Sequence, residues 1–234
     1  MPVFNESDGI ENFINEINLI FQNIEFGIFI IDDNSSDKTP SLLEELKSKN
    51  QINDWKRNLK NLGHGPSTLN ALLEGINSKA DYIIAVDGDG QFQARDMLKI
   101  YNELLHGFVV VEGVRVKRKE PYFRKLITFG VRILVFSRTW RIPKDANTPL
   151  RGYRLDTAQV MIQRIPKNTP IPNLIISVLT RKEKLLMGEV LVTSLPRRGN
   201  SQIGTTWGPK NQLLPNKRFI QFCIKSLRHW AQTP

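Results

Sequence analysis

One cysteine, Cys223, stands in 234 residues, so an internal disulfide and a cysteine-based zinc site are both excluded. Long apolar runs are also missing. The longest uncharged stretch, Asn168 to Thr180, carries two prolines and is too short to span a bilayer. The first residues are acidic and lack the basic-then-apolar layout of a secretory leader, from which a cytoplasmic chain is expected. Internal repeats and low-complexity tracts are absent as well. With 40% hydrophobic and 24% charged residues, neither wholesale disorder nor a fibrous repeat fits, and the length suits one large α/β domain or two small ones.

Charge of one sign is scarce in each half. Met1 to Glu112 holds 9 Lys+Arg against 18 Asp+Glu, a net of −9, whereas Gly113 to Pro234 holds 24 against 5, a net of +19. The total of +10 would ordinarily announce a polyanionic partner. Its uneven distribution instead suggests one end that holds a cation and another that meets anions.

Hydrophobic patterning alternates helix and strand. Ile10, Phe13, Ile14, Ile17 and Ile20/Phe21 form a helical stripe, and Phe26 to Ile31 reads as a strand buried on both faces. Ser41 to Leu46 and Ser67 to Ile76 read as helices, Tyr82 to Val86 as a second buried strand. Strands are further expected over 108–111 and 185–195, and helices over 123–136, 155–165 and 217–230. Both N-terminal strands run into polar clusters, Asp32-Asp33-Asn34-Ser35-Ser36-Asp37 and Asp87-Gly88-Asp89. This is the layout of an open, mainly parallel sheet, whose ligands sit outside the carboxyl ends of the strands.

Asp87 and Asp89, one residue apart at a strand end, repel each other, and an oxygen-seeking divalent cation relieves this while binding a diphosphate. Gln91 adds a neutral oxygen. A solvated Asp-Gly turn is the simpler alternative. The Asp32–Asp37 run suits hydrogen bonds from ribose hydroxyls or base N–H groups, or caps the following helix through Asp37. His64 reads as a loop residue near the donor.

Six segments occur in an order that resembles glycosyltransferase family 2: Pro2-Val3-Phe4-Asn5-Glu6, Asp32 to Thr39, Asn61-Leu62-Gly63-His64-Gly65, Asp87-Gly88-Asp89-Gly90-Gln91, Gly113-Val114-Arg115, and Asp145 to Arg151. More narrowly the chain resembles the polyprenyl-phosphate branch, typified by dolichyl-phosphate mannosyltransferase. The resemblance implies a GT-A fold with a catalytic domain over 1–204, a basic appendage over 205–234, and inverting transfer from a UDP- or GDP-linked sugar. It implies donor contacts from Pro2, Phe4, Glu6, Ile31, Asp32, Asp33, Asp87 and Gly88. Asp87, Asp89 and Gln91 would surround Mg²⁺ or Mn²⁺, with Asp89, Arg115 and Asp145 at the catalytic centre. Arg124 and Thr128 would meet the acceptor phosphate, with Arg197 or Arg198 clamping it. The partners implied are a nucleotide sugar, a polyprenyl phosphate and the cytoplasmic membrane face, with no nucleic acid.

The acceptor has a separate physical argument. A hydroxyl needs a positioned base, whereas a phosphomonoester oxygen is already anionic near neutral pH. The second half lacks the acidic pair that would supply such a base, leaving Asp145, which alternatively pairs with Arg151 or Arg154 and orders its loop. A hydroxyl acceptor with Asp145 as base, and a non-catalytic basic protein binding membrane or nucleic acid, remain the competing readings. Three departures from the family stand out. The apolar strand expected before Pro2 is lacking, which suggests a late start; Pro196 to Ser201 is one residue short, with Gln202 where lysine is common; and no transmembrane helices follow.

Overall fold

A computed structural model describes residues 1–116, 122–198 and 217–231, without the side chains of 122–126 and 217–219. Buried runs and amphipathic stripes alternate along the acidic half as β1 (Pro2–Val3), α1 (Ile10–Phe21), β2 (Phe29–Asp32), α2 (Thr39–Ser48), β3 (Asp54–Arg57), α3 (His64–Asn77), β4 (Tyr82–Ala85) and α4 (Ala94–Leu105). There follow β5 (Val110–Val116), α5 (Tyr122–Thr139), β6 (Arg151–Arg154), α6 (Leu155–Gln163), α7 (Pro172–Lys182), β7 (Met187–Thr193) and α8 (Lys217–Ala231). The stripe Ile10, Phe13, Ile14, Ile17 and Phe21 is buried, as the helical period predicts.

β1, β2 and β3 pair in parallel, and β4, β6, β5 and β7 form a second sheet in that order. In it β6 runs antiparallel to both neighbours while β5 and β7 are parallel. Gly88 N–H donates to the Pro2 carbonyl at 3.1 Å and so joins the end of β4 to β1. The architecture is the expected α/β sheet, mostly parallel and flanked by helices. It falls in two parts because β1 is two residues long. Successive side chains of a strand face opposite ways. Val111 accordingly joins the cluster built with α1, α2 and α4, and Val110 the cluster built with α3, α6 and α7.

Several elements differ from the pattern reading. The strand expected from Phe26 begins at Phe29, because the Ile28 N–H is taken by the Asn53 side chain at 2.8 Å and Phe26 is 36% exposed. α4, α7, β3 and β6 are additional. The terminal helix packs on the domain through Trp230, whose ring lies 4.4 Å from the Arg138 guanidinium and whose carbonyl accepts from Arg138 at 2.7 Å. Among the described residues no helix is long and apolar enough to cross a membrane.

Gly88 sits where β1 and the end of β4 nearly touch. A β-carbon there would run into Val3 Cγ1 and lie 3.1 Å from the Pro2 carbonyl. Gly88→Ala is therefore expected to lower unfolding free energy by about 1–3 kcal/mol, the usual range for overpacking, which urea denaturation will measure.

Candidate active site

β2 delivers Asp32 and Asp33 at its carboxyl end, and neither carboxylate is idle. Asp32 accepts the Ser35 N–H at 3.1 Å and the Ser35 hydroxyl, with Arg57 Nε 3.3 Å away. Burial pushes its pKa up against those bonds. Asp33 accepts from Asn58 Nδ2 at 2.9 Å, Leu62 N–H at 2.8 Å and Gly63 N–H at 2.9 Å. It thereby holds the turn that starts α3. Asp37, one residue before the N-cap Lys38 rather than at the cap itself, accepts the N–H of Thr39, the first residue of α2, at 2.9 Å. Pro2 lies beside Ile31 in the β1–β2 register, and Asn5 crosses to the loop through bonds of 2.9 Å with Ser35 and Ser36.

Across the β1–β4 junction, Glu6, Asp87 and Asp89 gather. Burial pushes the Glu6 pKa up to about 7, with Asp89 and Asp87 adding to the rise and Arg197 opposing it. Burial likewise pushes Asp89 up to about 6, the negative charge of Asp87 contributing. Two carboxylates that resist sharing their charge are what a divalent cation stabilises. Asp87 and Asp89 therefore fit such an ion, although no group of three or more His, Cys, Asp or Glu suited to a metal occurs among the described residues. Gln91 enters through its backbone, its N–H donating to Asp89 Oδ1 at 3.1 Å. His64, the first residue of α3, brings Nε2 to 3.8 Å from Asp87 Oδ1.

Arg197 and Arg198 differ in their partners. Arg197 binds the Glu6 carboxylate and donates to the Phe4 carbonyl at 3.3 Å, which sets it among the acidic residues. Arg198 turns the other way, to Glu16 and the Gly90 carbonyl, over the ring of Phe13 at 5.2 Å. Backbone bonds from Leu195 to Gln91 and from Arg198 to Asp89, 2.9 and 3.0 Å, stitch this segment to the carboxylate loop.

On the other side of β5, Arg115 grips Asp145 with two bonds of 2.7 and 3.0 Å and donates to the Asn147 carbonyl at 2.9 Å. Asp145 does order its loop by pairing, but its partner is Arg115 rather than Arg151 or Arg154. Arg151 is unavailable because it stands opposite Glu112 in the β5–β6 register and pairs with it at 3.1 Å, inside the core. Arg154 is held by Asp156 at 2.8 Å. Thr128 is half-buried on α5, whereas the Arg124 side chain, Gly199 to Ser201 and Gln202 lie outside the described residues. Arg132 Nε donates to the Pro143 carbonyl at 2.9 Å. Unanticipated is the buried set Arg151–Glu112–Arg181, in which Arg181 meets Glu112 at 2.7 Å. Its only sequence signal was an acid inside an otherwise apolar strand.

Solved structures share this architecture. A mannosyl-3-phosphoglycerate synthase from Rubrobacter xylanophilus superposes with a TM-score of 0.65 at 14% identity, over 99% of this chain and 71% of that one. A glucosyl-3-phosphoglycerate synthase from Mycobacterium tuberculosis, in complex with Mn²⁺ and UDP-glucose, gives 0.62 at 13% identity, over 100% and 78%. A mannosyltransferase from Pyrobaculum calidifontis, in complex with GDP-mannose and Mn²⁺, gives 0.56 at 16% identity, over 85% and 56%. These likenesses establish the GT-A type of fold. Residues 1–160 match the sequence profile of Glycosyl transferase family 2, a span that takes in both aspartate-bearing strand ends, Arg115 and Asp145, and the chain belongs to that family.

Proposed function

We propose that this family 2 glycosyltransferase moves a sugar, with inversion, from a UDP- or GDP-linked donor to a polyprenyl phosphate. Pro2, Phe4, Glu6, Ile31, Asp32 and Asp33 line the nucleoside side, and Asp87 and Asp89 hold Mg²⁺ or Mn²⁺ against the donor diphosphate. When bound, the cation neutralises charge developing on the departing nucleotide. Arg197, already among the carboxylates, supplies a second positive group there. Glu6 holds its guanidinium in place.

One observation carries the acceptor reading. Each described carboxylate from Gly113 onward is engaged in an ion pair: Asp145 with Arg115 at 2.7 Å, Asp156 with Arg154 at 2.8 Å, Glu183 with Arg164 at 2.9 Å and Glu189 with Lys144 at 2.6 Å. Among the described carboxylates of that half, a hydroxyl acceptor would have to give its proton to one that is already paired. A phosphate oxygen arrives ionised and needs only positive groups to position it. Arg124 and Thr128 on α5 are assigned that task.

Labelled UDP- and GDP-sugars should be offered with undecaprenyl phosphate, with 3-phosphoglycerate and with a simple saccharide. The expected product is a lipid-linked sugar phosphate that mild acid cleaves; an acid-stable glycoside would refute the phosphate acceptor. Asp145→Asn makes the same distinction by rate. As an orienter of Arg115, Asp145 keeps one acceptor oxygen after the change, and kcat should fall about tenfold. A general base would lose about 10²–10⁴-fold.

A further inference from the structure

We propose that Glu16 is a positioning residue for the cation, acting with Arg198 as a clasp that fixes the carboxylate loop between β4 and α4. The inference rests on the reading that Asp87 and Asp89 hold the cation, and extends it to a residue outside the donor set. Glu16 lies on α1, one helical turn after Phe13, and its two oxygens meet two distant segments. Oε1 accepts the N–H of Ala94, the first residue of α4, at 2.8 Å. Oε2 accepts from Nη2 of Arg198, which stands beyond β7. The first N–H groups of a helix have no partner within it, and the N-cap Gln93 makes no side-chain bond to them, so a carboxylate from α1 takes that place. One side chain thereby ties the far end of the carboxylate loop to the segment that crosses its middle.

Arg198 carries the hold into the loop. Three successive loop carbonyls accept from this segment: Asp89 from the Arg198 N–H at 3.0 Å, Gly90 from Arg198 Nε at 3.2 Å, and Gln91 from the Leu195 N–H at 2.9 Å. Gly90 has a left-handed backbone, φ 66°, and a β-carbon there would run into the Arg198 side chain, so loop and side chain are in direct contact. The guanidinium also rests over the buried ring of Phe13. The backbone that aims the Asp89 carboxylate is therefore set by Arg198, and Arg198 by Glu16. Arg197 keeps anchors of its own on Glu6 and the Phe4 carbonyl, so loss of the clasp disturbs the cation side of the site and leaves Arg197 in place. An exposed ion pair contributes little to stability, whereas a part-buried one that orients a metal-holding residue governs metal affinity.

The test is calorimetric titration of UDP and GDP into the full chain, with and without Mn²⁺. Glu16→Ala and Arg198→Ala should each lower the Mn²⁺-dependent gain in nucleotide affinity about tenfold, the usual size for a lost metal-orienting partner, and leave affinity without Mn²⁺ unchanged. The double variant should lose no more than either alone, because the two residues act as one unit. Glu16→Gln keeps an oxygen for the Ala94 N–H but not the charge, and should fall between the parent and Glu16→Ala. Unchanged circular dichroism spectra will verify that each variant is folded, and the shape-matched Glu16→Gln decides the matter should an alanine variant unfold. An undiminished Mn²⁺-dependent gain in folded variants, or an equal loss with and without Mn²⁺, would overturn the proposal alone. A parent protein that shows no Mn²⁺-dependent gain would overturn the donor reading and this proposal with it.

Discussion

Asp89→Asn is expected to abolish cation-dependent transfer, lowering kcat by about 10²–10³-fold, while leaving the unliganded protein at least as stable as the parent. The loss follows from removing one of the two carboxylates proposed to hold the cation, an electrostatic contribution of the size seen when a charge-stabilising group is deleted. The stability half follows from the same site. Asp89 is buried next to Asp87 and its pKa is pushed up to about 6, so its charged form is held in the folded protein at a cost. Asparagine keeps the oxygen that accepts the Gln91 N–H at 3.1 Å and drops the charge. The variant should melt about 2–4 °C higher for each kcal/mol relieved. Calorimetry without ligand, and titration of UDP and GDP with and without Mn²⁺, read the two halves separately. A variant that loses stability and keeps metal-dependent nucleotide binding would place the cation elsewhere.

That site was legible in the sequence because its chemistry is local. A strand buried on both faces shows as an unbroken apolar run, and its end shows as an abrupt change to aspartate, so Asp32, Asp33, Asp87 and Asp89 could be singled out from neighbours alone. The elements that went unassigned are those whose rationale is distant. α7 (Pro172–Lys182) is buried on nearly every side, so it lacks the alternation between wet and dry faces that marks a helix, and its leading proline looks like a breaker although it occupies the first turn, where proline is tolerated. β6 reads Arg-Gly-Tyr-Arg, a pattern that suggests a loop until Glu112 is placed opposite Arg151. β3 begins Asp-Trp-Lys-Arg and is a strand by virtue of its four-residue register with β2. α4 is the exception. Its stripe Ala94, Met97, Ile100 and Leu104 has regular helical spacing and was available to pattern reading.

The division of charge also acquires a physical meaning beyond the halves themselves. Cations from the basic half neutralise acids of the other: Arg197 on Glu6, Arg198 on Glu16, and Arg151 and Arg181 on Glu112. Glu6 and Glu16 meet arginines 191 and 182 residues away, and no sequence pattern would pair them. The net of +19 is therefore partly spent inside the molecule.

Glu112 should show the largest stability effect in the protein. It is fully buried between Arg151 at 3.1 Å and Arg181 at 2.7 Å, so Glu112→Ala leaves two guanidiniums facing each other in the core. Breaking such a buried set typically costs about 3–5 kcal/mol, which for a domain of this size lowers Tm by about 10 °C. Replacing all three charges by apolar residues of similar volume, Glu112→Leu with Arg151→Met and Arg181→Met, should restore most of that loss, because desolvated ions are weak net contributors. Transfer should not recover. Arg151 also donates to the Ala146 carbonyl at 3.2 Å and to the Asn173 carbonyl at 2.7 Å, bonds a methionine cannot make. Ala146 follows Asp145, whose grip on Arg115 places that guanidinium at the site. The triple variant is thus expected to melt near the parent temperature with kcat at least tenfold lower and an unchanged donor KM. A variant restored in both respects would show that the buried charges hold only the fold.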